Sequence, residues 1–421
     1  MSYDLDAHTD TDTAEYGPVA DWATDFDHGH PDYNPNAHAI WSDLVEGGCP
    51  VAHSERYHGM WVPLTHELVS EIAYDTEHFT SKMVVVSRIP RSEFATAPIG
   101  GAPPITSDPP FHQIARRLLL PPFAPKRIAA LEPDVRALCR GLLDRALEGG
   151  AGTIDGAIDY AQHIPVAVIR QMLGLPEADE ALFREFVHDV LEAVSRPPAE
   201  RLVAFTRFED YISHHIDDHR ANPRDDLISY LLDARLELPD GSQVPLSDEH
   251  VHGTVILLLL AGIDTTWSAI GSSLWHLATH ADDRRRLTAE PELMPTAVEE
   301  FLRAYAPVTM ARVVAQDHDF HGRPMQADDW VLLPFPAANR DPAAFDRADE
   351  VLIDRAENRH AAFGLGIHRC LGSNLARLEL RVAIEEFVAR VPEFELADPA
   401  AVRWSTGQIR GPRALPLRLL G

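Results

Sequence analysis

Lysine is almost missing from this chain: Lys82 and Lys126 stand alone, and every other permanent cation is an arginine. From Met1 to Glu55 there is neither, although Asp4, Asp6, Asp10, Asp12, Glu15 and Asp21 fall there. With 65 acidic against 37 basic residues the formal charge is -28, which argues against nucleic acid or an anionic membrane surface as a partner. Cysteine is scarce too. Cys49, Cys139 and Cys370 are an odd, widely spaced set that forms neither a disulfide framework nor a CxxC zinc site, and a reducing cytoplasm fits it. The longest apolar run, VILLLLAGI at Val255–Ile263, falls far short of the ~20 residues of a membrane span. No basic patch followed by an apolar core opens the chain, so no signal peptide is expected. These absences lead to the expectation of a soluble cytoplasmic protein.

What is present is mostly helical periodicity. With 45% hydrophobic residues the chain can bury a large core. Residues 1–36 are acidic and lack apolar periodicity, and are expected to be a poorly ordered arm. Over 37–421 the spacing predicts helices at His66–Tyr74, Phe111–Leu120, Lys126–Gly149, Tyr160–Leu173, Glu177–Ser195, Pro198–Ala221, Ser247–His280, Pro295–Tyr305 and Leu371–Val391. Strand-like pieces are few: Gly59–Pro63, Val313–Phe320 and Trp330–Leu333. The expected fold class is therefore mainly α with a small β portion, in one large domain.

Two stretches ask for a chemical explanation. Ser247-Asp-Glu starts a helix well, with a Ser cap and acids in the first turn, and the helix that follows is apolar nearly all round. Its interruption, Ala261-Gly-Ile-Asp-Thr-Thr266, puts a carboxylate and hydroxyls where burial makes them costly unless paired or used. The second stretch is FGLGIHRCLG, Phe363–Gly372. A core cysteine needs no such neighbourhood. Cys370 lies where loop becomes helix, and free N–H groups and the positive dipole end there favour a thiolate. Gly364 and Gly366 can turn the loop back toward the sulfur, and Gly372 leaves room for a flat group.

That stretch resembles the haem-binding loop of the cytochrome P450 family, and the chain from about residue 37 onward agrees. Ala261–Thr266 resembles the family's oxygen-activating segment, and Glu300-Phe-Leu-Arg303 its Glu-x-x-Arg helix. Asn339-Arg-Asp-Pro342, Arg355-x-x-Asn358-x-His360 and the C-terminal RGPRALPLR are similar to the segments before and after the haem loop. The resemblance implies the P450 fold and a haem-thiolate monooxygenase of soluble bacterial type. It implies haem b (iron protoporphyrin IX) with Cys370 as the metal ligand, Phe363, Gly364 and Gly372 beside it, and Ala261 against the ring. His112, Arg116, Arg312 and His368 are implied as propionate partners. Asp264 and Thr265 are implied as the proton-delivery pair, and Glu300, Arg303 and Arg355 as a structural ion network, with Arg359 the alternative third member.

The same resemblance implies an apolar substrate pocket from Val85, Phe94, Leu257, Leu260, Val308 and Met310, with a roof over Met83–Ile105 and a lid across Phe183–Ile216. Ser87, Arg88, Arg91 and Ser92 are candidate anchors for a substrate carboxylate. Implied partners are a small to medium hydrophobic molecule, O2, and a ferredoxin or flavodoxin docking near Arg369, Arg377 and Arg117. The expected reaction is hydroxylation, O-dealkylation or epoxidation. A peroxide-driven or rearrangement enzyme on the same fold is the alternative, and a haem-thiolate binding or sensor protein stands behind that.

Overall fold

The computed structural model describes residues 17–48, 50–86, 101–148, 150, 152–187, 198–405 and 407–420. A central helix, Asp248–Thr279, organises them. Ser247 caps it by accepting the His250 N–H at 3.2 Å, with Asp248 and Glu249 in the first turn. Because it is apolar on nearly every face, it must be surrounded. It packs against His163–Leu173, Pro198–Ala221, Met294–Ala304 and Ser373–Arg390. By length and composition it would pass for a membrane span, yet 72% of its most apolar window is buried inside the protein.

His66–Tyr74 and Pro198–Ala221 form as the spacing predicts. Other expected helices are cut. Lys126–Gly149 divides into Pro125–Ala129 and Glu132–Leu147, because Pro133 has no N–H to donate and sits comfortably only in a first turn. Tyr160–Leu173 begins instead with a wide turn at Gly156–Ala161, capped by the Asp155 carboxylate. Glu177–Ser195 is described as a helix over Glu180–Val187.

A five-stranded sheet flanks the helices. Its members are β1 Val51–Ser54, β2 Met60–Pro63, β3 Phe79–Thr80, β4 Thr309–Val314 and β5 Trp330–Pro334, in the order β1-β2-β5-β4-β3. β5 pairs antiparallel with β4, placing Val331 opposite Arg312, and parallel with β2. The expected strand Val313–Phe320 ends at Val314; His318–Phe320 instead starts a hairpin with Arg323–Met325.

The expected arm divides. Residues 1–16 lie outside the described residues, whereas 17–36 pack onto the body. Arg56 binds Asp25 at 2.5 Å and Asp27 at 2.7 Å, and also reaches the Gly17 carbonyl. Phe26 is buried among Tyr33 and Trp41, with Trp22 edge-on. A helix, Tyr33–Glu46, begins inside the segment. Acidity and missing apolar periodicity predict disorder here; for residues 17–36 one buried arginine and four aromatic rings supply the contacts instead.

Candidate functional site

Cys370 precedes the helix Ser373–Arg390, and its N–H donates to the Phe363 carbonyl at 2.7 Å, closing the loop on itself. Gly364 and Gly366 both hold positive φ, +70° and +66°. At Gly366 a Cβ would also meet the Ala73 carbonyl at 2.2 Å, so only glycine lets this loop lie against the helix His66–Tyr74. Gly366→Ala should therefore cost about 2–3 kcal/mol through strain and clash. Chemical denaturation measures this, and a loss below 0.5 kcal/mol, the ~±0.5 of an ordinary surface change, would contradict the packing. At Gly372 a methyl would approach the Cys370 Sγ only to 3.9 Å, so its smallness is not demanded by the protein itself.

The Cys370 residue surface is exposed, but the protein behind the sulfur removes enough water to push the thiol pKa up. The Gly372 N–H and the Arg116, Arg377 and Arg369 charges act in the opposite direction and do not outweigh it. The helix terminus alone, expected to favour a thiolate, is thus insufficient. A coordinating cation deprotonates a thiol outright, so the setting suits a metal ligand better than a free nucleophile.

Beside it lies a cluster that no carboxylate balances fully. The His112 ring meets the His368 ring edge-on at 4.4 Å. His368 Nε2 lies 2.8 Å from Ser81 Oγ, while both ring nitrogens of His112 are buried with no hydrogen-bond partner among the described residues. Burial, helped by Arg116 and Arg312, pushes His112 down to about 4. Burial with Arg312, His112 and Arg116 pushes His368 to about 2. Arg312 is buried, donates to the Ala311 carbonyl at 2.8 Å, and is itself lowered to about 10 by desolvation. Arg116 donates to the Arg369 carbonyl at 2.6 Å. Asp108 lies near enough to favour the charged forms of His112 and Arg312, but its oxygens are taken by Thr80 Oγ1 and the Ser81 N–H. Orphaned imidazole nitrogens and desolvated arginines call for an anionic partner. The two propionates of a haem supply that charge, so the residues fit the group.

The ion network under this loop is fully made. Arg303 grips Glu300 with two bonds of 2.8 Å. Glu300 also accepts from Arg355 Nε at 2.9 Å, Asn358 at 3.0 Å and the Leu352 N–H at 2.8 Å. Arg355, not Arg359, is the third member. Arg303 further binds the carbonyls of Asn339, Ala348 and Glu350, and Asn339 Oδ1 accepts the Ala361 N–H at 2.6 Å. The chain leading to Cys370 is thereby tied to the helix Met294–Ala304.

On the central helix Leu257, Leu260, Ala261 and Thr265 form the incompletely covered stripe, with Ala261 exposed in the middle of an otherwise buried element. Val308 and Met310 are half-buried, whereas Val85 is 51% exposed. Thr265 Oγ1 donates to the Ala261 carbonyl at 2.9 Å. Asp264 is buried and pairs with Arg413 at 2.5 Å; Arg413 also donates to Ser268 and lies over the Trp267 ring. Arg413, from the strand Pro412–Ala414, was not assigned a role from the sequence, although it stands in the RGPRALPLR segment. Ser81 carried no signal at all, being 287 positions from His368. Phe94, the remaining roof residues 87–100 with Ser87, Arg88, Arg91 and Ser92, and lid residues 188–197 lie outside the described residues.

Several basic residues around the cysteine loop are paired within the protein. Arg377 is bound bidentately by Glu299 at 2.6 and 2.8 Å and covers the Phe363 ring. Arg381 is held by Glu132. Both are half-buried with their charge matched. Arg369 is exposed, and Arg117 reaches only the exposed Glu237 at 3.8 Å.

Comparison with known proteins places this geometry. The family model described as Cytochrome P450 matches residues 185–397. Mycinamicin IV hydroxylase/epoxidase of Micromonospora griseorubida is 36% identical over 319 residues, 74% of this chain and 79% of that protein. Nocardicin C N-oxygenase of Nocardia uniformis subsp. tsuyamanensis is 33% identical over 363 residues, 85% of this chain and 89% of that one. The structure of the bacillaene polyketide synthase cytochrome P450 PksS of Bacillus subtilis 168 superposes with a TM-score of 0.83 at 28% identity, covering 94% of this chain and all of that one.

Proposed function

This chain belongs to the cytochrome P450 family of haem-thiolate monooxygenases, and from that premise we propose how its own residues divide the work on a small to medium hydrophobic substrate. Cys370 would ligate the iron of a haem b, and His112, Arg116, Arg312 and His368 would hold its propionates. The observation that carries this reading is the Cys370 loop, closed by its N–H on the Phe363 carbonyl, beside a buried His/Arg cluster whose His112 ring nitrogens have no partner among the described residues. When bound, the haem supplies dioxygen activation, with thiolate ligation favouring O–O cleavage.

The remaining steps belong to side chains. Phe363, under Arg377, keeps water from the sulfur. The apolar stripe of Leu257, Leu260 and Ala261, with Val308, Met310 and Val85, receives the substrate and excludes water. Thr265, whose hydroxyl donates to the Ala261 carbonyl at rest, would turn that hydroxyl into the pocket to donate a proton there. Asp264 would relay protons to that hydroxyl, and Arg413 positions its carboxylate.

Electrons come from a ferredoxin or flavodoxin whose acids meet Arg369 and Arg117, with Lys126 and Arg127 exposed nearby. Arg377 serves Glu299 and Phe363 instead. The catalytic unit is 37–421 with 17–36 packed on it, and the protein works in the cytoplasm.

The test is to titrate the holoenzyme with a panel of apolar compounds and follow conversion of the haem from low to high spin. Compounds that convert it are then turned over with a ferredoxin system and isotopically labelled dioxygen. One labelled oxygen per product molecule is expected. Label-free product, or turnover with peroxide alone, would overturn the reading.

A further inference from the structure

The turn after the helix His66–Tyr74 carries a second cluster of ligand-bearing side chains. Asp75, His78 and His318 present one donor atom each, all within 4.8 Å of one another. The geometry points to a binding site for a borderline divalent transition-metal ion, with Zn2+ the natural probe, formed by these three residues.

The scaffold is rigid and joins two distant segments. β3 pairs with β4 through Phe79 and Val314, and the Ala315 N–H donates to the His78 carbonyl at 2.7 Å. Asp75 Oδ1 accepts the N–H groups of Glu77 and His78 at 3.0 Å, which fixes the carboxylate. Its second oxygen lies 2.7 Å from His78 Nδ1. The His78 and His318 rings stack at 4.0 Å with 25° between their planes, backed by the edge of Phe79. All three ligand residues are half-buried, so an ion can enter without first crossing the core.

The donor set names the class of ion. Two imidazoles and one carboxylate suit Zn2+, Ni2+ or Cu2+ rather than Mg2+ or Ca2+. Nitrogen donors at ~2.0–2.1 Å from zinc stand about 3.3 Å apart in a tetrahedron. Reaching that spacing requires the two rings to leave their stack by turning about χ2, a soft torsion in imidazole. Binding replaces the proton shared by His78 Nδ1 and Asp75 Oδ2 with the metal. Water completes the coordination, and the chain's net charge of -28 favours capture of a cation.

The site would join the Asp75–Thr80 turn to the hairpin His318–Met325. That turn leads directly to Thr80 and Ser81, which bind Asp108 and His368.

Chelator-treated holoprotein is titrated calorimetrically with zinc chloride. One saturable site per chain is expected, with a metal-dependent rise in Tm. The site should vanish in His318→Ala and weaken about 10–100-fold in Asp75→Asn. It should persist in His321→Ala, which removes a nearby exposed histidine that binds Glu71 instead. Unchanged midpoints of metal-free variants show that they fold. Only weak, non-saturating binding to the wild type, or a site of undiminished affinity in folded His318→Ala, overturns the proposal.

Discussion

An Arg303→Ala variant should lose about 3–5 kcal/mol of stability, because removing one partner strands a buried charge. Glu300 and Arg303 are 0% and 1% exposed. The carboxylate would keep Arg355 and Asn358, but its bidentate partner would be gone. Three carbonyls on the path to the cysteine loop, those of Asn339, Ala348 and Glu350, would also lose a donor. An exposed pair at the same helical spacing would contribute only ~0.3 kcal/mol, so burial accounts for the tenfold difference. Denaturant unfolding of the variant, with haem content measured alongside, checks this. A loss below 1 kcal/mol with full haem incorporation would show that the network is dispensable.

Asp264→Asn should lower turnover by about 100-fold or more, the lower end of what a positioned proton-transfer group supplies. Substrate-induced spin conversion should stay unchanged. Asparagine keeps the size of the side chain and an oxygen for Arg413 and Ser268, so packing survives while proton exchange does not. Thr265→Ala should retain substrate binding but send most reducing equivalents to peroxide. Among the described residues its hydroxyl is bonded locally, to Ala261, so the substitution leaves the helix intact. Peroxide yield per electron consumed is the readout. Wild-type coupling in Thr265→Ala, or wild-type turnover in Asp264→Asn, would remove these residues from proton delivery.

The parts of the fold that could be read in advance were those governed by local rules. The central helix announces itself through its Ser247 cap and unbroken apolar run, and its observed limits differ from the expected ones by one residue at each end. Glu300 and Arg303 are legible because their spacing is fixed by the helix. What escaped depended on contacts distant in sequence. Arg56 organises residues 17–36 from beyond them, against the expectation of a poorly ordered acidic arm. Glu299 neutralises Arg377 from another element, which the arginine's place on its own helix does not reveal. Arg413 meets Asp264 across 149 positions. At Cys370 the helix-end N–H of Gly372 favours the thiolate as its position in the sequence implies, whereas the desolvation that opposes it arises from packing and cannot be read from the sequence.

The most direct measurement compares the reduced, carbon-monoxide-treated spectra of wild-type holoprotein and Cys370→Ser. Wild type should show the red-shifted Soret band that only thiolate ligation produces, and the variant should lack it even where haem is retained. The same band persisting in Cys370→Ser would mean that some other residue holds the iron, and the assignment of this site would fail.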